Sequence, residues 1–157
     1  MSDENHQDSN QYVNLPPEQW PDMDFSWDLE HKSQRLALDG ESQAEFEKDY
    51  PNGFALGWIT LKCLDRKMHK HNRRSLKTIW KCGDTDKLAK AIDHISRDQP
   101  ITPPLIRVHQ DLPGKIHLGG GNHRYTVAVF SGQDRIPVYA LPEEKEEIDK
   151  ILKVDWC

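Results

Sequence analysis

Lys115-Ile116-His117-Leu118-Gly119-Gly120-Gly121-Asn122-His123-Arg124-Tyr125 carries a short strand pattern into three glycines and leaves them at the polar start of a helix. Residues 115–118 alternate in polarity, as a strand does, and Val127, Ala128 and Phe130 supply an apolar helical face that Gly132 should end. Glycines fit where a chain turns sharply and lets a ligand approach the backbone. A helix that opens there presents its first N–H groups and the positive end of its dipole, the natural seat of an anion such as phosphate. Arg124 adds a planar fork matched to phosphate oxygens. His123 adds a donor that can also move a proton. The expected anion site is therefore Gly119, Gly120, Gly121, Asn122, His123 and Arg124.

Outward from this turn, the sequence reads as layers. Upstream, residues 54–64 form an apolar run suited to a largely buried strand, followed by a basic loop over residues 65–81. Asp84 or Thr85 should cap a helix over residues 84–96, with Leu88, Ala91, Ile92 and Ile95 on its inner face. Strands are expected at 105–109 and 115–118, joined through the Pro113-Gly114 turn, and again at 136–141. A closing helix over 142–152 carries Glu143, Glu144, Glu146 and Glu147 in its first turns. This order predicts an α/β (α+β) layer fold.

Charge divides the chain. Residues 1–50 hold 13 acidic and 3 basic side chains and residues 51–157 hold 13 acidic and 18 basic, so the net −5 splits into −10 and +5. An acidic arm over residues 1–50 attached to a mildly basic domain over 51–157 follows, and the basic half suits a phosphate-bearing partner. Residues 1–11 have the composition of a disordered tail. Over residues 12–27, Tyr12, Trp20, Phe25 and Trp27 lie among prolines and acids, a pattern for an extended segment pinned to the body by its rings, or else for a motif that docks on a protein partner. Residues 41–50 read as a short polar helix after Gly40.

The start of the chain lacks a signal peptide's apolar core, and no apolar run approaches the ~20 residues that cross a bilayer, so a cytoplasmic protein without membrane contact is expected. Cys63, Cys82 and Cys157 fit free thiols in a reducing compartment. A zinc site from Cys63, His69, His71 and Cys82 lacks the usual ligand spacing.

Residues 84–141 resemble the ParB/sulfiredoxin superfamily, whose sulfiredoxin branch carries Gly-Gly-Cys-His-Arg-Tyr at the corresponding turn and a Pro-Pro pair where Pro103-Pro104 stands. The resemblance implies an open mixed sheet with packed helices and a nucleotide at the glycine turn. It matches Gly120, Gly121, His123 and Arg124 to phosphate-binding positions and Lys87 to a nucleotide-binding lysine. Lys90 and His94 replace small hydroxyl residues. Asn122 stands where sulfiredoxin has its reactive cysteine, so sulfinic-acid reduction is not expected, because an amide supplies no thiolate.

Together these readings predict an enzyme that binds a nucleoside triphosphate, ATP foremost, with Mg2+, and hydrolyses it or transfers its terminal phosphoryl group. His123 and Asp65 are the expected catalytic pair, and Arg66 is a further phosphate contact. Two alternatives remain open. One is a ParB-like nucleic-acid-binding protein or nuclease in which Arg73, Arg74 and Lys77 track a phosphate backbone. The other is a noncatalytic regulator that engages a protein through the acidic arm.

Overall fold

The computed structural model describes residues 9–38, 41–81 and 83–157; residues 1–8 of the expected tail, Gly40 and Cys82 fall outside the described residues. The chain forms α1 (Gln43–Asp49), β1 (Ala55–Thr60), α2 (Leu61–Lys67), α3 (Thr85–Ser96), β2 (Leu105–Val108), β3 (Ile116–Gly120), α4 (Asn122–Phe130), β4 (Arg135–Ala140), α5 (Lys145–Asp149) and β5 (Asp155–Trp156), with 3-10 turns at Pro17–Gln19, His31–Ala37, Lys70–Asn72 and Pro142–Glu144. The strands make one five-stranded mixed sheet in the order β3-β2-β4-β1-β5. Only the β2–β4 pair is parallel; β1 pairs antiparallel with β4 and β5, and β2 with β3. No described helix is long and apolar enough to cross a membrane.

The first strand is shorter than its apolar run suggested. The backbone leaves β1 at Thr60 and enters α2 at once, with Leu61, Leu64 and Met68 buried at helical spacing. A continuous apolar run fits either period, and here the buried positions follow the helical one. Asp65 and Arg66 consequently sit on a helix and not in a loop. The closing helix is also broken: Pro142–Glu144 is 3-10, and Glu144 turns back to accept hydrogen bonds from Arg107 Nε at 2.9 Å and Val108 N at 3.0 Å.

Strand alternation sorts the core into two faces. From β4, Ile136, Val138 and Ala140 join Ile59, Leu64, Ile106, Ile116 and Tyr125 on one side. Tyr139 and Leu141 point the other way, onto Ala37, Phe46 and Phe54. The second face is therefore covered by the acidic arm itself. A third cluster seats Trp20, only 8% exposed, with Tyr12, Leu15, Phe25 and Trp27 against Leu88, Ile92 and Ile95 of α3. Leu15 O accepts from both Trp20 Nε1 at 3.1 Å and Trp80 Nε1 at 2.5 Å, satisfying both indole donors. Trp27 pairs with Ile101 in an isolated parallel bridge. The rings thus pin an extended segment to the body, and even Ser9, at the end of the expected tail, is buried.

Candidate functional site

The three glycines do three different things. Between Ile106↔Leu118 and Leu105↔Gly120 the ladder shifts register, so Gly119 is the extra residue of a bulge, pressed against the Leu105 and Arg107 side chains. A Cβ on Gly120 would overlap the carbonyl oxygen of Ala37, so this glycine admits the arm's backbone. Gly121 alone turns the chain through the left-handed region, at φ 85°, and is the N-cap of α4.

A glycine N-cap supplies no side-chain bond to the helix start. The first helical bond runs from Tyr125 N to Gly121 O at 2.9 Å, so the amides of residues 122–124 precede the ladder. α3 begins nearby with a different device: Asp84 Oδ1 accepts from Lys87 N at 3.1 Å. That bond, chiefly, holds the Asp84 carboxyl below its ordinary range, and His123 adds to the effect, which puts the two helix starts within electrostatic reach of each other.

Between them lies a cavity of about 530 Å³. Lys87, Lys90 and Arg124 line it with cations, His123 with an imidazole, and Ala91, Ile95, Pro100 and Ile101 with apolar side chains. His94 Nε2 meets Pro100 O at 2.9 Å and fixes the loop that closes the apolar side. The arm contributes Asp28 and Leu36, the latter 49% exposed as an apolar lip. Sequence reasoning passed over Asp28 and Leu36, since nothing local marks a residue that reaches a site by long-range packing. Lys87 was the α3 residue expected here; Lys90, Ala91 and His94 join it at helical stride on one face of α3.

The expected catalytic pair is split. His123 lines this cavity, whereas Asp65 and Arg66 line another recess with Gln133 and Asp134. Asp65 is engaged from two sides, accepting from Tyr125 Oη at 2.5 Å and from Arg73 Nη2 at 3.0 Å. Successive helical residues diverge by about 100°, so Arg124 faces the cavity while Tyr125 turns into the core and meets Asp65. Burial and the Asp65 bond push the Tyr125 phenol far above its ordinary value, which keeps it a donor. Arg66 is exposed and reaches Cys63 Sγ at 3.4 Å. In the basic segment, Arg73 and Lys77 are exposed, while Arg74 lies beside Gly83, with Nη1 buried.

A second side-chain cluster lies at the far end of β3. His69 stacks on His71 and His109 with ring centroids 4.6 and 4.7 Å apart, and His109 meets His117 edge-on at 5.5 Å. His69 Nδ1 accepts from His71 N, and His109 Nδ1 from Asp111 N and Leu112 N, so protonating either nitrogen breaks a turn. Among the described residues no group of three or more His, Cys, Asp or Glu side chains is arranged to hold a metal. Desolvation, then neighbouring histidines, lowers the His69 and His117 pKa values below the ordinary 6.5. The unfolded chain then binds more protons below that value, so stability is complete above about pH 6.5 and is lost as pH falls toward the folded pKa values. Thermal unfolding at pH 5.5 should occur at a lower temperature than at pH 7.5. Exchanging His117 for Asn should shrink that difference, and an unchanged difference would remove His117 as a cause.

Comparison with family models, with curated proteins and with solved structures found no match to this chain.

Proposed function

We propose that this protein binds a nucleoside triphosphate with its phosphates at the starts of α3 and α4, and hydrolyses it or transfers its terminal phosphoryl group. The observation that carries this reading is that Lys87, His123 and Arg124, from two helix starts, line one cavity together with apolar side chains. Charge neutralisation and positioning make up most of what phosphoryl transfer asks of a protein. The uncapped amides of α4 and the Arg124 fork suit terminal phosphate oxygens, and Lys87 adds a point charge. Ala91, Ile95, Pro100 and Ile101 suit the face of a base. The order strand, Gly-Gly-Asn-His-Arg-Tyr, helix supports a ParB/sulfiredoxin-like fold, with Asn122 setting aside thiol chemistry.

Mg2+ bound with the nucleotide would offset phosphate charge. Asp28 is the carboxylate of the cavity wall available to it, and Lys90 adds further positive charge. His123 is the cavity residue suited to moving a proton or meeting developing charge. Asp65, tied to Tyr125 and Arg73 in another recess, orients those two side chains.

Calorimetric titration with ATP, with and without Mg2+, tests the reading. Arg124→Ala should weaken binding by about 1.5–3 kcal/mol through the loss of charge-assisted bonds, and Lys87→Ala by less. His123→Ala should lower phosphate release more than affinity, since only contacts that strengthen in the transition state change the chemical step. The exposed Arg73 and Lys77 favour a second reading, a nucleic-acid-binding protein or nuclease. Failure to bind nucleotide with any divalent metal, together with salt-sensitive DNA retardation lost in Arg73→Ala and Arg74→Ala, would replace the first reading with the second.

A further inference from the structure

The histidine cluster at the far end of β3 shares no lining residue with the nucleotide cavity. His69, His71, His109 and His117 line a recess of about 410 Å³ together with Asn72 and Asp111. Backbone bonds tie its walls to β3 and to the turn that leads into it: His69 N donates to Ile116 O at 2.7 Å, and His109 N to Lys115 O at 2.9 Å.

Hydrogen bonds inside the cluster set which nitrogen each imidazole offers. His69 Nδ1 accepts from His71 N, and His109 Nδ1 from Asp111 N and Leu112 N, each at 3.2 Å. A neutral ring whose Nδ1 accepts carries its proton on Nε2, so both rings offer an N–H donor there and no lone pair. Asn72 adds donors in the same sense, because its Oδ1 is taken by Leu118 N at 3.1 Å and its amino group remains. A metal ion needs lone pairs aimed at one point. Here His71, His69 and His109 stack with neighbouring planes 24° and 29° apart, which sets their nitrogens side by side. A row of N–H donors suits the several oxygens of an oxyanion.

Charge favours the same class of ligand. Lys70 acts on His69 and Arg107 on His117, with Glu144 opposing the second. Desolvation, then these cations and the neighbouring imidazoles, holds both rings below their ordinary pKa, and a bound anion would relieve the repulsion. Asp111 is a carboxylate on the same recess. It repels a fully ionised oxyanion such as sulfate, but accepts a hydrogen bond from one that keeps a P–OH.

We infer that this recess binds a phosphate group that keeps a P–OH, held by the Nε2–H donors of His69 and His109 and the amide of Asn72, with Asp111 accepting from the P–OH. Inorganic phosphate and phosphomonoesters have that group, and a phosphodiester does not. His117, edge-on to His109, is the ring that gains a proton as the anion binds, since protonating His69 or His109 at Nδ1 would break a turn. The site stands independently of the nucleotide reading.

The test is calorimetric titration with inorganic phosphate near pH 6 and pH 8, on wild-type protein, His69→Asn, His109→Asn and Arg124→Ala. Asparagine keeps an acceptor close to the Nδ1 position and removes the Nε2–H, so each exchange should weaken phosphate binding about tenfold. Arg124→Ala, in the other cavity, should leave it unchanged. Binding should be tighter near pH 6, and NMR titration of the His117 ring signals in wild-type protein should show its pKa raised by phosphate, a readout that stands even where a variant unfolds. Sulfate should bind at least about tenfold more weakly than phosphate, and a short single-stranded oligonucleotide should not compete. Glycerol phosphate tells the sources apart: tighter binding than phosphate assigns the site to phosphomonoesters, and weaker binding to the free anion. Phosphate affinity unchanged in both asparagine variants, or lost in Arg124→Ala, would overturn the site. So would sulfate binding as tight as phosphate, or histidine signals that move with Zn2+ and not with phosphate.

Discussion

Replacing Gly120 by alanine should destabilise the protein by about 2–3 kcal/mol, the upper part of the ~1–3 kcal/mol that a methyl forced into packed surroundings costs. Its Cβ would overlap the backbone carbonyl oxygen of Ala37, which has no rotamer to change, and the arm would have to lift from the glycine turn. Two neighbours separate packing from backbone conformation. Gly121→Ala meets a left-handed φ of 85° and the Pro104 Cα at 2.8 Å, so strain and overlap add. Gly114→Ala has a φ of 79° but nothing within 4 Å, so only the backbone cost of about 1–2 kcal/mol remains. Urea denaturation of the three variants should rank Gly114→Ala as the mildest. Wild-type stability in Gly120→Ala would mean that the arm is not seated on the turn.

A fragment of residues 51–157 should show no cooperative unfolding transition, although its charge and motifs make it look like a complete domain. The arm supplies Trp20 to the cluster against α3, and Ala37 and Phe46 to the cluster against Tyr139 and Leu141. Each large apolar side chain buried contributes about 1.5–3 kcal/mol, and losing several exceeds the margin by which domains are stable. Removal would also strand polar groups: the buried Gln34 amide accepts from Phe54 N at 2.9 Å and donates to Phe54 O at 3.2 Å. Differential scanning calorimetry of the fragment against the full chain reads this directly. A sharp transition in the fragment would restore the arm to the status of an appendage.

Much of the local structure was legible because it is set by short-range rules. The Asp84 cap, the stripe of Leu88, Ile92 and Ile95, the helix opening at Asn122 and its stop near Gly132 each depend on residues within a few positions of one another. Less legible were boundaries inside continuous apolar runs, as at Leu61, where strand and helix periods fit equally well. The last strand, Asp155–Trp156, carries too few residues for any period and exists only through pairing with Gly57 and Trp58 of β1.

The candidate site divides in the same way. Sequence alone determined that His123 and Arg124 stand at a helix start behind a glycine turn, because a strand pattern, a glycine run and a helical apolar face follow one another within a few residues. Tertiary structure decided which residues face the same cavity. It set Lys87 beside His123 and brought in Asp28 and Leu36 from an arm nearly a hundred positions upstream of the turn, while sending Asp65 to the buried side of α4. Charge composition separated the arm from the body, but the burial of its aromatic rings joined them, since apolar area removed from water outweighs the weak, screened attraction or repulsion of exposed charges.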